Sequence, residues 1–444
     1  MKQFYQSLYF TKMMFTLIIG LVVLFILAFV FPFLLGIAQL LFLIFCLMWL
    51  SDLLMLYRNK KGIFCRREVP ERLSNGDENP ISIYLENHFS FTVQLQIIDE
   101  IPFQFQKRDL LFTTNLKPAE TQIVEYLLRP TKRGTYSFGA VNVFVKSPLG
   151  LIKRRFQFSQ DKEVAVYPSF LQMRAYELMA ISNRLTDLGV KKIRKIGQSQ
   201  EFEQIRQYVQ GDDVRTINWK ATARRNDLMV NAFQEEKSQN IYSLIDKGRV
   251  MQMPFEGLSL LDYAINATLV LSNIAIYKQD KAGLITFSEK VGQTLMAEKR
   301  AGQMTKILDT LYNQKTRYQE TDYEALYIHC KTYLRQRSLL LLYTNFETLT
   351  SMRRQLPYFR KIAKDHLLII IFFENTELRA LLEKPAKTTE EIYHKTIAEK
   401  YFYEKHQIVR ELAQYGIQAL LTAPQNLTIS TVNKYLELKS RGMI

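Results

Sequence analysis

Two adjacent carboxylates, Asp212 and Asp213, lie among the cations Arg206, Arg215, Lys220 and Arg224, with Trp219 between them, all inside the run 197–224. Three kinds of chemistry fit such a group. The first is acid–base work, but the run carries no histidine or cysteine, and flanking arginines depress carboxylate pKa values rather than poise them. The second is an internal network in which the cations hold both carboxylates as anions and Trp219 anchors the packing. The third is a docking face for a partner, because Trp and Arg dominate binding hot spots. Both non-catalytic readings predict that Trp219 is buried, that Arg206 and Arg215 lie close to Asp212 or Asp213, and that Gly211–Arg224 packs on the domain that follows.

Elsewhere the reactive residues are scattered. His88, His329, His366, His394 and His406 form no pair with ligand spacing on one helix face. Cys46, Cys65 and Cys330 are odd in number and unpatterned, which fits a reducing compartment and no disulfide framework. The chain has no Gly-x-x-x-x-Gly-Lys loop, no Gly-x-Ser-x-Gly elbow and no His-Glu-x-x-His helix. Its net charge of +16 favours an anionic partner. Without zinc spacing, a Lys/Arg-rich tract or an aromatic RNA-binding signature, a membrane surface explains that charge better than nucleic acid does.

The elements that must carry these residues fall into blocks. Residues 1–60 hold an almost unbroken apolar stretch, long enough for two membrane helices near 13–31 and 34–57, with Phe31-Pro32-Phe33 at the turn. Lys2 and Lys12 precede it, Arg58, Lys60, Lys61, Arg66 and Arg67 follow it, and the turn has no charge; the positive-inside rule then puts both ends in the cytoplasm. Residues 61–168 alternate with period two, as in Ile81-x-Ile83-x-Leu85, Phe91-x-Val93-x-Leu95-x-Ile97 and Val141-x-Val143-x-Val145. With turn signals between, this predicts a small β-sandwich. Residues 169–239 comprise a linker helix over 170–193 and the charged segment.

From 240 to 444 strands and helices alternate. Strands are expected at 240–246, 282–288, 338–344, 366–373 and 416–421, with an antiparallel edge after Glu289-Lys290. Helices fill 257–278, 301–313, 322–336, 350–364, 389–414 and 428–439. Runs such as Leu339–Leu342 and Leu367–Ile371 suit a doubly wound, mainly parallel sheet covered on both faces. Such sheets bind ligands at the carboxyl ends of their strands, where Asp246, Thr321 and Asn345 fall. Ser243 and Thr344 are expected to point elsewhere. The mixed charges of 389–414, Lys405 among them, read as a solvated face.

The charged segment resembles the signature of the domain-of-unknown-function family numbered 58 (DUF 58). The matching residues are Glu201-Phe202, Ile205-Arg206-x-Tyr208, Gly211-Asp212-Asp213-x-Arg215, Ile217-x-Trp219-Lys220 and Ala221-x-Ala223-Arg224. Arg133-Gly134-x-Tyr136-x-Phe138-Gly139, Ser147-Pro148-Leu149-Gly150-Leu151, Val166-Tyr167-Pro168 and Asn433–Lys439 extend the likeness. The resemblance implies a membrane hairpin, a strand-rich module and a von Willebrand factor A-like domain, with a MoxR-type AAA+ ATPase as partner. Von Willebrand A domains hold a divalent cation between an Asp-x-Ser-x-Ser loop, a Thr and an Asp. The corresponding positions here are Asp246, Gly248, Val250, Thr321 and Asn345. Two serines and one carboxylate are thus replaced, so no metal is expected, and Lys247 or Arg249 is expected to put a cationic group where the ion would sit.

The expectation is a non-enzymatic, cofactor-free scaffold of the inner membrane, working with an ATPase in cell-envelope or assembly processes. Its partner-binding candidates are Arg206, Asp212, Asp213, Arg215, Trp219, Lys220 and Arg224. The alternatives are a metal-dependent adhesion-type receptor and a hydrolase using Asp212 and Asp213.

Overall fold

The computed structural model describes residues 2–59, 61–107, 110–181, 201–209, 217–225, 227–234, 238–300, 302–383, 385–386 and 388–444. The chain divides into two compact units, Met1–Tyr167 and Pro168–Ile444.

In the first unit, helices Lys12–Val30 and Leu35–Arg58 flank a short turn at Pro32–Leu34. Both are long and apolar enough to cross a membrane and are exposed along nearly their whole length. Their ends are fixed to the strands that follow. Leu8–Phe10 pairs antiparallel with the strand Ile152–Phe158, in the register Leu8↔Arg154, Tyr9↔Lys153 and Phe10↔Ile152. Thr11 donates its hydroxyl to Gly150 O at 2.8 Å and caps the first helix by accepting from Met14 N. At the far end of the hairpin, Arg154 Nη1 donates to Leu56 O at 2.6 Å and Asn59 O at 3.0 Å. Between these points lies Asp52, fully buried in a mainly apolar helix. Its carboxylate accepts from Leu151 N at 2.9 Å, Ile152 N at 3.0 Å and the Ser147 hydroxyl. The turn Ser147–Leu151 is thus held by the helix. Both ends of the hairpin meet the same strand module.

The strand module consists of a five-stranded sheet and two three-stranded sheets. Ile81, Ile83, Leu85, Val93, Leu95, Ile97, Val141, Val143 and Val145 are all buried in one apolar cluster with residues of the other strands, as period-two alternation requires. The architecture is β-rich as expected, with three separate sheets around a shared core.

The second unit is built on a six-stranded sheet: β1 (Asn240–Asp246), β2 (Lys281–Phe287), β3 (Val291–Glu298), β4 (Leu339–Tyr343), β5 (Leu367–Phe373) and β6 (Gln418–Thr422). The order is β3-β2-β1-β4-β5-β6, and only β3, at the edge, runs antiparallel. Strand alternation divides the core in two. Ile241, Ile245, Leu341, Tyr343, Ile369 and Ile371 pack with helices Leu260–Tyr277 and Leu427–Ser440. Tyr242, Leu244, Leu340, Leu342, Ile370 and Phe372 pack with helices Tyr323–Tyr333, Leu349–Asp365 and Thr389–Gln414. Burial on both faces is why these strands are almost purely apolar. Leu260–Tyr277 also has the length and apolarity of a membrane span, but it is buried in this core.

The helix boundaries follow local chemistry. Ser259 with Asp262 and Thr388 with Glu391 form reciprocal capping boxes, and Asp322 accepts from Glu324 N and Ala325 N at the start of Tyr323–Tyr333. A further helix, Thr376–Glu383, was not expected from the sequence. Of the linker helix, Phe170–Ile181 is described; its Tyr176 joins the core of this unit, and Asn266 accepts from Ser169 N at 3.0 Å. The rest of the expected span to 193 lies outside the described residues.

Candidate functional site at the carboxyl edge of the sheet

Asp246 closes β1 beside β4, where the strand order reverses direction, and is fully buried. An isolated buried carboxylate costs several kcal/mol unless donors surround it. Four do. Thr321 Oγ1 donates to Oδ1 at 2.6 Å and Gly248 N–H to the same atom at 2.8 Å. Thr344 Oγ1 donates to Oδ2 at 2.7 Å and the Tyr323 hydroxyl to the same atom at 3.1 Å. The Tyr323 hydroxyl also lies 2.7 Å from Thr344 Oγ1, so its one proton is shared between that oxygen and the carboxylate. Burial still raises the Asp246 pKa above the usual carboxylate value, the hydrogen bonds only partly opposing it.

Thr344 corrects the sequence reading: its hydroxyl faces Asp246, because Ile245 pairs with Tyr343 in parallel register and the residues that follow, Asp246 and Thr344, fall on the same face. Tyr323 had no sequence signal, since its ring comes from the helix after Thr321 and reads as an ordinary core aromatic.

Gly248 explains how the cluster closes. A Cβ atom there would lie 2.0 Å from Thr321 Oγ1 and 3.1 Å from Asp246 Oδ1. Only glycine lets the threonine hydroxyl reach the carboxylate directly. A serine at this position, as in a cation loop, requires Thr321 to move. Val250 is half-buried against the apolar core and offers no oxygen.

Lys247 does not stand in for a cation as expected. Its ammonium lies near Gly292 and Thr286, where a Cβ on Gly292 would meet Nζ at 3.1 Å. Among the described residues no ion pair joins Lys247 to Asp246; burial, then Arg317, lowers its pKa. Arg249 is exposed on the rim of a 200 Å³ cleft that Thr321, Tyr323, Thr348, Ser351 and Arg354 also line.

Asn345, the third expected position, is drawn away from Asp246. Its Oδ1 accepts from Lys405 Nζ at 2.6 Å. Lys405 lies on Thr389–Gln414, a helix read from sequence as a solvated face, yet it is half-buried and burial lowers its pKa to about 8. Its ammonium stands 5.6 Å from the Phe372 ring centre. The mixed-charge pattern hid it among flanking charges, of which Glu399 and Lys400 are exposed while Glu404 is half-buried and accepts from Leu349 N at 3.2 Å.

The charged segment is divided. Asp212, Asp213, Arg215 and Gly211 lie outside the described residues. Downstream, Ile217 bridges Val230, Asn218 N donates to Met229 O at 2.8 Å, and Asn218 Oδ1 caps the helical turn Trp219–Arg225 by accepting from Ala221 N at 3.0 Å. Thr222 Oγ1 accepts from Met229 N at 3.1 Å. Trp219 is 70% exposed, which overturns its reading as a buried packing anchor. Among the described residues of this piece Met229 and Val230 are buried, on the strand Met229–Gln234 that pairs with Glu201–Gln207. Among the described residues, Asn218 and Thr222 make the hydrogen bonds that dock the short helix, and the indole is exposed. Trp219→Ala is therefore expected to change the melting free energy by no more than roughly 0.5 kcal/mol, the scale of surface substitutions; a loss of several kcal/mol on chemical unfolding would show a buried role. Arg206 Nη1 donates to Gln207 O at 3.2 Å. Lys220, Arg224 and Arg225 are exposed around a shallow cleft of 440 Å³.

Among the described residues, no group of three or more His, Cys, Asp or Glu is placed to hold a metal ion.

The family described as "Protein of unknown function DUF58" has a model that matches residues 204–380. That is the stretch holding both the charged segment and the carboxyl edge. The match is to fewer than half of the residues, and the chain is similar to that family over them. A curated relative, "Uncharacterized protein YeaD" of Bacillus subtilis (strain 168), is 27% identical over 205 residues, which is 44% of this chain and 50% of the relative. The chain thus spans about half the length of the curated relative it matches. Among solved structures, the conserved hypothetical protein BatB from Bacteroides thetaiotaomicron is 12% identical with a TM-score of 0.29, covering 46% of this chain and 100% of that one. The PapD-like domain 7 of human CEP192 is 16% identical with a TM-score of 0.18, covering 24% of this chain and 84% of that one. Neither likeness is close enough to decide the fold.

Proposed function

We propose that this chain is a membrane-anchored, non-enzymatic interaction protein whose second unit is a von Willebrand A-like domain that binds a protein partner without a metal ion. The observation that carries the reading is the closed cluster around Asp246. Four internal donors satisfy the carboxylate, and Gly248 leaves no space for a ligand side chain between Asp246 and Thr321. A divalent cation wants oxygen ligands of its own, and here those oxygens are spent on one another. What the edge still offers to solvent is polar and in part cationic, with Arg249 and Arg354 beside Glu320 and Glu347 at the smaller cleft; the charged segment separately exposes Lys220, Arg224 and Trp219.

The membrane hairpin supports an anchored role. Its flanking lysines and arginines favour the cytoplasm for both ends, and with them for the two soluble units. A MoxR-type AAA+ ATPase is the partner that the sequence resemblance implies, in cell-envelope or assembly work.

The test is recovery of the tagged full chain from native membranes after cross-linking. We expect a AAA+ ATPase to be recovered with it, and the double substitution Arg249→Glu, Arg354→Glu to lower that recovery at least tenfold with the melting temperature nearly unchanged. Exposed interface arginines act through the partner, so stability should not follow binding. Undiminished recovery of the ATPase with the double variant would remove the edge from the interface. No ATPase with the wild-type chain would remove the partner.

A further inference from the structure

Beside the Asp246 cluster, and separate from it, the carboxyl edge holds a second cavity of 270 Å³. Phe255, Leu260, Phe373 and Pro424 are buried in its wall, and Phe402 lines it from Thr389–Gln414. Into this apolar space two polar groups converge: the ammonium of Lys405 and the side-chain amide of Asn345, already joined through Asn345 Oδ1 at 2.6 Å. That bond uses one of the three N–H donors of Lys405 and leaves the Asn345 Nδ2 donors to face other acceptors.

Two acidic side chains also line the cavity, and neither takes the ammonium. Glu374 pairs with Arg379 at 3.5 Å. Glu347 is exposed and acts on Lys405 from the rim, and among the described residues no carboxylate lies within ion-pair distance of Nζ.

We propose that this cavity binds a small ligand made of an apolar body ending in a carboxylate. The carboxylate takes the donors of Lys405 and Asn345, and the body fills the aromatic wall. Size sets the class. An engineered apolar cavity of about 150 Å³ holds benzene, so this one suits a single ring with a short chain, below the range of drug-sized ligands. Two donors side by side match the two oxygens of a carboxylate, and a charge-assisted bond in a dry pocket is stronger than one in water. The position fits too, because open α/β sheets bind ligands at the carboxyl ends of their strands. Burial lowers the pKa of Lys405 against the opposing charge of Glu347, and pockets with such groups are where ligands are found. A free carboxylic acid and the C-terminal residue of a polypeptide carry the same chemistry.

The experiment titrates the full chain in nanodiscs at neutral pH, where Lys405 is protonated. The probes are hydrocinnamate, its amide, and a short peptide ending in phenylalanine with a free or an amidated terminus. At least one acid is expected to bind saturably, at least tenfold more tightly than its amide. Binding by the free acid points to a small molecule, and binding by the peptide alone to a chain terminus; either upholds the site. Lys405→Met should abolish the preference for the acid. Asn345→Asp should do the same by giving the ammonium its own carboxylate, and it keeps the assay decisive if the methionine variant fails to fold. Equal binding of acid and amide, no saturable binding of any probe, or acid binding unchanged in either folded variant overturns the proposal.

Discussion

Asp246→Ala is expected to destabilise the second unit by at least about 4 kcal/mol, because it leaves buried donors from Thr321, Thr344, Tyr323 and Gly248 without their acceptor. Each unsatisfied buried group costs about 1–3 kcal/mol, and part of that is recovered by relaxation. Asp246→Asn keeps one acceptor oxygen and should cost clearly less. It should also change the pH dependence. The folded chain holds the Asp246 proton at pH values where the unfolded chain has released it, since burial raises this pKa. The folded state then binds more protons, so this group's contribution falls as pH rises from the ordinary carboxylate range through the folded pKa. Asp246→Asn removes that slope. Gly248→Ser, which restores one serine of a cation loop, should destabilise as well, because its Cβ meets Thr321 Oγ1 at 2.0 Å. Urea unfolding of the full chain across pH measures all three. Near-wild-type stability of Asp246→Ala would mean that the cluster holds nothing together.

The second large effect is expected at Asp52. Asp52→Ala removes the acceptor for Leu151 N, Ile152 N and the Ser147 hydroxyl, all buried, and should cost about 3 kcal/mol or more in the first unit. Asp52→Asn retains a carbonyl oxygen and should recover part of the loss. The local signature is hydrogen exchange: the amides of Leu151 and Ile152 should lose protection in the alanine variant while the central strand Asn79–Asn87 keeps its own. Unchanged protection at those two amides would show that Asp52 does not hold the turn to the helix.

The sequence was legible where apolar periodicity decides structure. Both hairpin helices, the alternating strands from Ile81 to Val145, the five parallel strands and the antiparallel edge at Val291–Glu298 lie within a few residues of where their patterns place them. Each is set by which side chains must leave water, a property of neighbours in sequence. The site was legible only in part, because it is set by residues that meet across the fold. Asp52 looks like a blemish in an apolar run until its donors arrive from about a hundred residues away. Lys405 sits in a run of glutamates and lysines, most of them exposed, and its partner Asn345 comes from just beyond β4. Trp219 misled in the other direction. Its size argued for burial, but Asn218 and Thr222 dock its helix by hydrogen bonds and leave the indole in solvent.

Absence of a metal ion at the carboxyl edge is tested most directly by calorimetric titration of the full chain with Mg²⁺ and Mn²⁺. A cluster in which Asp246 is already met by Thr321, Thr344, Tyr323 and the Gly248 N–H should give no saturable heat up to millimolar ion, and neither ion should raise the melting temperature. Micromolar binding of either ion, abolished in a folded Asp246→Asn variant, would contradict the metal-free reading and return the edge to a cation-dependent receptor.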